Sequence, residues 1–388
     1  MPRYLCNMSF VGDPAARQLL DSLDPNTIDL AKLNQELRKA GYQTELVTWV
    51  LQQIEIRQRA RSKLDDRASA LLFSRNGLEQ ASRWPVAQYH AARFKGFRSI
   101  TDLGCGIGID SLAFSEAGLK TTSVEQDEET WRLAKTNLQG AANVILGQAE
   151  THNIDTEAVW FDPARRDLTG SHRSRKMLAA SDFSPSLELV FDELSRRPGG
   201  AKLAPGFPHE LIPENLEANW VSHQRELVEL SLWSVEQARA GRRFATMLLE
   251  TGPLEFTGEI ISGQVAELGK FVFEPDPALI RSGLLGAFAE HQGLGLIAKD
   301  IAYLSGSSKL ESPWLRSYPV LEQLPIDTKI LRNRLAELGI GILEIKKRGI
   351  DIEPEKLRRE LKLKGEGAAT LILTRVGDAR RALVCAAS

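Results

Sequence analysis

The sequence is poor in cysteine and contains no long run of apolar residues. Its three cysteines, Cys6, Cys105 and Cys385, are widely separated along 388 residues, which excludes a disulfide framework and argues against a cysteine metal cluster. No apolar stretch is long enough to span a bilayer, and no basic N-terminal segment precedes an apolar core. We therefore expect a cytoplasmic protein with no bound metal and no membrane partner.

Net charge is also nearly absent, at −2. This excludes a globally basic nucleic-acid-binding protein but not a local basic face. From Thr328 onward, 14 lysines and arginines stand against 8 aspartates and glutamates, so this end carries +6 and the rest of the chain −8. Its densest basic point, Ile345-Lys-Lys-Arg-Gly, is either a phosphate contact or a solvated turn. Such asymmetry indicates a module that faces nucleic acid.

The most informative pattern that is present lies at residues 99–110. An apolar lead-in to Asp102 predicts the end of a buried strand, and a Gly-x-Gly-x-Gly turn and a helix follow. This order suits a nucleotide-sized ligand, because glycines let the backbone approach it and a helix N-terminus presents free N–H groups. Taken alone, the turn is equally consistent with an ordinary strand-to-helix connection. Within it, Cys105 is interpreted as a small filling side chain rather than a nucleophile.

Two acidic residues further along the chain favour a binding site. Glu125 closes the next apolar run, where a carboxylate can accept hydrogen bonds from ribose hydroxyls. Asp162 follows a later apolar run, Ala158-Val-Trp-Phe. Because ligands of open α/β sheets bind at the carboxyl ends of the strands, we expect these side chains to share one edge of a sheet.

The turn Asp102-Leu-Gly-Cys-Gly-Ile-Gly resembles the cofactor loop of class I S-adenosylmethionine-dependent methyltransferases. A dinucleotide-binding turn would more often have a third glycine where this chain has Ile109. A carboxylate at Asp102 would repel a pyrophosphate but can receive a cationic amino group. The resemblance implies a Rossmann-like α/β sheet and S-adenosyl-L-methionine as cofactor. The cofactor-binding residues it implies are Asp102, Gly104, Cys105, Gly106, Gly108, Asp110, Glu125, Gln126, Gln148, Ala149 and Asp162.

Gln148 departs from the family pattern, which usually has an aspartate there to hold the adenine amino group. A glutamine carbonyl can accept the same hydrogen bond. Upstream, Gln80, Gln88 and His90 are candidates for the pocket wall, or belong to an ordinary amphipathic connector.

The segment Asp162-Pro-Ala-Arg-Arg is the candidate acceptor loop. In methyltransferases of nucleobase or amide nitrogens, the resembling motif has a second proline and an aromatic residue, and their absence here weakens the case for such an acceptor. Asp162 is the candidate for orienting the acceptor. Arg165 and Arg166, the other two candidate catalytic residues, either bind an anionic substrate such as phosphate or pair with nearby carboxylates and shape the loop. The basic run continues in Gly170-Ser-His-Arg-Ser-Arg-Lys-Met.

The pattern predicts three domains: a helical one over 1–95, the Rossmann-like methyltransferase domain over 96–253 and a small α/β domain over 254–388. We expect helices from Thr27 to Gly41 and from Thr44, with Arg57–Arg67 as a solvated helix face or a nucleic-acid contact. The expected closing strands of the methyltransferase sheet are Val228–Trp233 and Arg243–Leu249.

The C-terminal domain resembles the THUMP-like domain of a group of bacterial and archaeal methyltransferases. The resemblance is carried by Glu274-Pro-Asp-Pro-Ala-Leu-Ile-Arg-Ser-Gly and Leu343-Glu-Ile-Lys-Lys-Arg-Gly. That group is distantly similar to trimethylguanosine synthases, whose Asp-Pro-Pro-Trp loop this chain lacks. THUMP domains proper bind tRNA, so the resemblance favours RNA as the partner, by analogy.

The sequence thus predicts an S-adenosylmethionine-dependent methyltransferase, with RNA as the favoured substrate. Two alternatives remain open: a methyltransferase of a small anionic metabolite, and an RNA-binding protein that holds the cofactor without turnover. The methyl acceptor and the oligomeric state are not predicted.

Overall fold

The computed structural model describes residues 8–25, 29–165 and 183–387. They form two compact units. The first is drawn from the described residues of Met1–Leu203, Phe207–Glu217 and Ser231–Gly241, and the second from those of Ala204–Gly206, Ala218–Leu230 and Arg242–Ser388. Within the described ranges, no helix combines the length and apolarity needed to cross a membrane.

The chain is helical up to Arg93, and its strands lie from Ser99 onward. The helices are α1 (Pro14–Asp21), α2 (Leu30–Lys39), α3 (Thr44–Leu64), α4 (Arg75–Gln80), α5 (Trp84–Arg93), α6 (Ile109–Glu116), α7 (Glu128–Asn137), α8 (Leu187–Arg196), α9 (Pro277–Arg281), α10 (Leu285–His291), α11 (Thr328–Glu337) and α12 (Pro354–Leu361). The strands are β1 (Ser99–Leu103), β2 (Lys120–Glu125), β3 (Ala142–Leu146), β4 (Ala158–Phe161), β5 (Ala164–Arg165), β6 (Phe183–Ser184), β7 (Gly199–Leu203), β8 (Glu217–His223), β9 (Glu226–Trp233), β10 (Arg243–Leu249), β11 (Gly252–Thr257), β12 (Phe271–Pro275), β13 (Gly295–Leu296), β14 (Leu304–Gly306), β15 (Leu315–Pro325), β16 (Ile340–Lys347), β17 (Gly367–Val376) and β18 (Ala379–Ala386).

A nine-stranded sheet has the order β11-β10-β8-β9-β7-β4-β1-β2-β3. Strands β3, β2, β1, β4 and β7 are parallel neighbours, so their carboxyl ends lie at one edge. The predicted α/β class with a Rossmann-like sheet is therefore confirmed. β4 is buried on both faces, as expected of a central parallel strand covered by helices.

Helix α2 ends two residues before the predicted stop at Gly41, and α3 begins at the predicted Thr44. The predicted start of the first of these helices, Thr27, lies outside the described residues. Asp29 caps α2 by accepting hydrogen bonds from Ala31 N (2.8 Å) and Lys32 N (3.1 Å), and Gly41 just beyond α2 has a φ of 83°. The expectation of a solvated face over Arg57–Arg67 is wrong at Arg57, which is 1% exposed. The chain after α3 turns back over the helix, and Leu71 O accepts a hydrogen bond from Arg57 Nε (2.9 Å).

The sequence predicted two closing strands for the methyltransferase sheet, which correspond to β9 and β10, but it did not predict β8. β8 and β9 are joined by Gln224 and Arg225, which have φ values of 53° and 63°, as in the tight turn of a β-hairpin. β10 pairs with β8 in parallel rather than with β9. Six of the seven β8 residues are buried, and they include the polar Glu217, Asn219 and Ser222. The strand therefore shows neither a continuous apolar run nor a sustained apolar–polar alternation in the sequence.

The second sheet has seven strands in the order β13-β14-β12-β15-β18-β17-β16. Helices α11 and α12 cover one face through a core that includes Leu331, Leu335, Leu357 and Leu361. Helices α11 and α12 alternate with strands β15, β16 and β17, and β18 follows β17 directly. The long strand β15 was not predicted; its pairing with β18 shifts by one residue at Leu321.

Candidate cofactor and acceptor site

The glycine turn connects β1 to α6 in a conformation that side chains disfavour. Gly104, Gly106 and Gly108 have φ values of 87°, 57° and 93°. A Cβ at Gly104 would lie 3.1 Å from Asp162 O, and one at Gly108 would lie 2.7 Å from Leu138 Cδ1. A Cβ at Gly106 would meet nothing within 4 Å. Packing therefore requires two of the glycines, whereas Gly106 borders open space where a ligand can approach the backbone.

Asp102 presents an unsatisfied carboxylate oxygen beside this turn. Its side chain is 1% exposed, and Oδ2 accepts a hydrogen bond from Ser111 Oγ (2.5 Å). Ser111 Oγ also lies 2.7 Å from Ser123 Oγ. Oδ1 is buried and has no hydrogen-bond partner among the described residues. A buried carboxylate oxygen without a donor is costly, so this position suits an incoming cationic group.

The electrostatic surroundings make Asp102 hard to ionise. Burial raises the pKa of Asp102 well above its usual range. The hydrogen bond from Ser111 lowers that pKa, the negative charges of Asp110 and Asp162 raise it further, and the positive charge of Lys202 lowers it. A cation bound at Oδ1 would favour the ionised form.

Glu125, at the end of β2, is held by two backbone groups. Oε2 accepts from Gly106 N (3.0 Å), and Oε1 accepts from Asp127 N (2.9 Å). Burial raises the pKa of Glu125 overall, although these N–H donors act in the opposite direction. The structure thus brings Glu125 and Gly106 into direct contact. Each carboxylate oxygen retains a second lone pair with which it can accept a hydroxyl group.

The other sequence-predicted cofactor residues lie around this centre. Gln126 is exposed and donates from Nε2 to Ser184 Oγ (2.8 Å). Gln148 is also exposed, and Ala149 begins a short 3₁₀ turn after β3. Cys105 is buried, and burial raises the pKa of its thiol well above the usual value. A protonated, enclosed thiol fits the interpretation of Cys105 as a filling side chain.

Asp110, in the first turn of α6, points toward the N-terminal helices. Oδ1 lies 2.7 Å from His90 Nδ1, and Oδ2 accepts from Ser82 Oγ (2.7 Å). Burial alone would raise the pKa of Asp110, but the His90 charge and hydrogen bond lower it overall. The centroid of the His90 ring lies 4.3 Å from the centroid of the Trp160 ring, inside an aromatic core. Of the candidate wall residues, His90 is thus enclosed, while Gln80 and Gln88 are exposed.

The acceptor loop begins at Asp162, directly after β4. Lys202 Nζ, on the neighbouring strand β7, lies 2.6 Å from Asp162 Oδ2. Lys202 also donates to Gln80 O (3.1 Å) and Ser82 Oγ (3.3 Å). No motif in the sequence marks Lys202. Phe161 and Ala201, the residues before Asp162 and Lys202, are paired across β4 and β7, so the strand register in the folded sheet brings the two side chains together.

The remaining acceptor candidates fall outside the described part of the chain. This applies to Arg166, to the basic run that ends at Met177 and to the side chain of Arg165. Among the residues that are described, no group of three or more histidine, cysteine, aspartate or glutamate side chains is placed to hold a metal ion.

Comparison with known proteins identifies the family. Two curated relatives from Mycobacterium tuberculosis, strains CDC 1551 and H37Rv, are each an uncharacterized S-adenosylmethionine-dependent methyltransferase. Each is 32% identical over 340 residues, which is 85% of this chain and 93% of the relative. The chain belongs to the S-adenosylmethionine-dependent methyltransferases. This methyltransferase also matches the THUMP domain-like family model over residues 315–387, which confirms the resemblance seen in the sequence.

A solved structure has the same fold. The crystal structure of a candidate methyltransferase from Porphyromonas gingivalis W83 matches with a TM-score of 0.75 and 22% identity over 98% of both chains. The methyltransferase uses S-adenosyl-L-methionine as its cofactor. Its site fits that cofactor at two points: the buried Asp102 Oδ1 lacks a donor that an amino group can supply, and Gly106 borders open space.

Proposed function

We propose that this methyltransferase modifies RNA, and that its C-terminal region contacts the phosphate backbone. The observation that carries the proposal is the THUMP domain-like match over residues 315–387. The part of the chain from Thr328 onward, which covers most of this match, has a net charge of +6. Phosphate neutralisation by lysine and arginine dominates the affinity of proteins for nucleic acid. We propose three domains for this chain: a helical domain over 1–95, the methyltransferase domain over 96–253 and the THUMP-like domain over 254–388.

The side chains of this region support such a contact. Several cations are exposed and form no ion pair within the part of the chain that the structure describes. They are Lys329, Lys347, Lys356, Arg359, Lys362, Lys364 and Arg380. Others are already engaged: Arg334, for example, pairs with Glu322 (2.5 Å) and Glu337 (2.7 Å). The surplus positive charge is therefore largely available to a polyanion.

The cofactor is proposed to lie along the carboxyl edge of β1, β2 and β3. Asp102 Oδ1 would accept from its amino group, Glu125 from its ribose and Gln148 from its adenine edge. The backbone of the glycine turn and the residues Cys105, Asp110, Gln126 and Ala149 would complete the surroundings. S-adenosylmethionine supplies a methyl group on a sulfonium. The protein would contribute mainly by positioning, with Asp162 orienting the acceptor and Arg165 and Arg166 near its phosphate.

Label transfer tests the substrate class. The purified protein is incubated with S-adenosylmethionine that carries a tritiated methyl group and with total RNA, protein and small-molecule fractions from a strain lacking the gene. We expect label in RNA. Label confined to the small-molecule fraction would overturn the RNA proposal and favour an anionic metabolite. Label in protein alone would overturn it as well.

Salt dependence tests the proposed phosphate contact. Binding to total tRNA is measured at several salt concentrations for the wild type and for Lys356→Glu/Arg359→Glu. The variant should reduce the slope of log K against log salt by about 1 to 2, because each phosphate contact contributes roughly 0.7 to 0.9. Lys39→Glu/Lys120→Glu is the matched control, since both lysines are exposed and lie far from the THUMP-like region in sequence. Equal slopes for the two variants would contradict the contact.

A further inference from the structure

Lys202 joins three separate parts of the site. Its ammonium lies 2.6 Å from Asp162 Oδ2 and donates to Gln80 O (3.1 Å) and Ser82 Oγ (3.3 Å). Asp162 belongs to the acceptor loop, whereas Gln80 and Ser82 lie at the end of α4 and just after it. These oxygens match the three N–H donors of an ammonium group. Since the Lys202 side chain is 13% exposed, they take the place of water around a largely buried charge.

The contacts continue from Lys202 to the cofactor turn. Ser82 Oγ donates to Asp110 Oδ2 (2.7 Å), and Asp110 lies in the first turn of α6, directly after the glycine turn. A connected series of polar contacts therefore runs from Asp162 through Lys202 and Ser82 to Asp110. A shift of the Lys202 ammonium would therefore disturb both Asp162 in the acceptor loop and, through Ser82, Asp110 next to the cofactor turn.

The charge of Lys202 also offsets several carboxylates. Its positive charge lowers the pKa of Asp102 and of Asp110, both of which burial alone would raise. Asp162 is its direct ion-pair partner. The three carboxylates lie on β1, on α6 and in the loop after β4, whereas Lys202 lies on β7. The positive charge and the negative charges that it compensates therefore belong to different elements of the fold.

We propose that Lys202 is a positioning residue for methyl transfer, which fixes the Asp162 carboxylate toward the acceptor and ties it to the cofactor turn. The proposal rests on the roles proposed above for Asp162 and Asp102, but not on RNA being the substrate. A loss of orientation at a reacting group costs rate even when binding persists. Lys202 should therefore influence the transfer step more than cofactor affinity at neutral or higher pH.

Lys63 provides a matched control. Its ammonium donates to Leu78 O (2.8 Å), Glu79 O (2.8 Å) and Ala81 O (3.1 Å), which belong to the same segment that Lys202 holds. Within the part of the chain that the structure describes, the Lys63 ammonium donates to these carbonyls and not to Asp162. Lys63→Met therefore removes a comparable clamp on α4 and leaves the acceptor carboxylate in its ion pair.

The first test compares the transfer kinetics of wild type, Lys202→Met, Lys202→Arg and Lys63→Met. Tritiated methyl transfer is measured in whichever fraction the wild type labels. We expect kcat to fall about 10- to 100-fold in Lys202→Met, with KM for S-adenosylmethionine changed little at pH 8. Lys202→Arg should recover part of kcat, because it restores a cation next to Asp162. Equal losses of kcat in Lys63→Met and Lys202→Met would overturn the proposal.

The second test needs no acceptor. Calorimetry measures the affinity for S-adenosylmethionine as the pH is lowered, and the affinity should fall when Asp102 becomes protonated. The charged groups that act on Asp102 are Asp110, Asp162 and Lys202. Loss of the Lys202 cation raises the pKa of Asp102, so the fall should move to higher pH in Lys202→Met and return toward the wild-type position in Lys202→Arg. Lys63→Met should match the wild type.

The two tests separate this proposal from the RNA proposal. If wild type labels protein or small molecules instead of RNA, the RNA proposal fails and the kinetic comparison still decides the role of Lys202. If wild type labels no fraction, the affinity profile decides it, and coincident profiles for wild type and Lys202→Met would overturn the proposal. Lys202→Gln replaces Lys202→Met if the methionine variant does not fold, with the same expected directions.

Discussion

His90 Nδ1 lies 2.7 Å from Asp110 Oδ1, and both side chains are buried. The pair connects α5, which precedes the first strand of the sheet, to the first turn of α6, which follows the glycine turn. Because the His90 ring also packs 4.3 Å from the Trp160 ring, the pair links the N-terminal helices, the aromatic core and the candidate cofactor site. The stability of the fold and the shape of the site are therefore coupled at this contact.

Removal of His90 should destabilise the protein strongly. His90→Leu would leave Oδ1 of the buried Asp110 carboxylate without its partner, and removing one partner of a buried pair of this kind costs about 3–5 kcal/mol. The free energy of unfolding is measured by urea denaturation, with Gln88→Leu on the exposed side of the same helix as control. The double variant His90→Leu/Asp110→Asn should lose less than the sum of the single variants. Additive losses would contradict the coupling.

A large side chain at Gly106 should block cofactor binding. Gly106→Arg would project into the open space next to the turn, and calorimetry should detect no binding of S-adenosylhomocysteine. Gly118→Arg is the control, because Gly118 has a φ of 92°, no atom within 4 Å of its Cβ position and a place at the far end of α6. Both variants should show similar backbone strain of about 1 kcal/mol. Unchanged binding by Gly106→Arg would refute the cofactor position.

In the second unit, the ion pair between Glu274 and Lys346 should make stability depend on pH. Lys346 Nζ lies 2.8 Å from Glu274 Oε2, which also accepts from Tyr318 Oη (3.0 Å). Burial alone would raise the pKa of Glu274, but the bond and charge of Lys346 lower it overall from 4.5. The stabilisation is thus fully present above 4.5 and is lost as the pH falls through the lowered value.

The variant Lys346→Met tests this dependence. At pH 7 it should lower the free energy of unfolding by about 1–3 kcal/mol, because a largely buried carboxylate loses a charged donor. The deficit should shrink in denaturation series below about pH 4.5. Lys347→Met, on the neighbouring exposed lysine, should change stability by less than about 0.5 kcal/mol. A deficit that stays constant down to pH 3 would contradict the assigned ion pair.

Cys105 should be chemically inert in the folded protein. Burial raises the pKa of its thiol, so alkylation by iodoacetamide at pH 8 should be at least about 10-fold slower in the native than in the denatured state. Peptide mass spectrometry separates Cys105 from the other two cysteines. Cys105→Ala should retain affinity for S-adenosylhomocysteine within about threefold, since a side chain that only fills space is replaced by a slightly smaller one. Rapid native alkylation would show that the turn opens.

The features that could be predicted from the sequence are mostly local. Gly104, Gly106 and Gly108 follow a buried strand, and only glycine readily adopts their backbone conformations. The ends of β2 and β4 were visible because apolar runs stop at Glu125 and Asp162. β8 was missed because its buried residues include Glu217, Asn219 and Ser222, which interrupt the apolar run expected of a buried strand. Arg57 was misplaced because its partner Leu71 O lies on a segment that returns over α3.

The sequence by itself determined the α/β class, the methyltransferase family, the cofactor and the THUMP-like end, since each depends on short motifs or on composition along the chain. Only the tertiary structure showed that Lys202 pairs with Asp162, that His90 pairs with Asp110 and that one oxygen of Asp102 is buried without a donor. These contacts join residues from different strands and helices. Charge pairing and burial depend on distances in space, and separation along a sequence does not specify such distances.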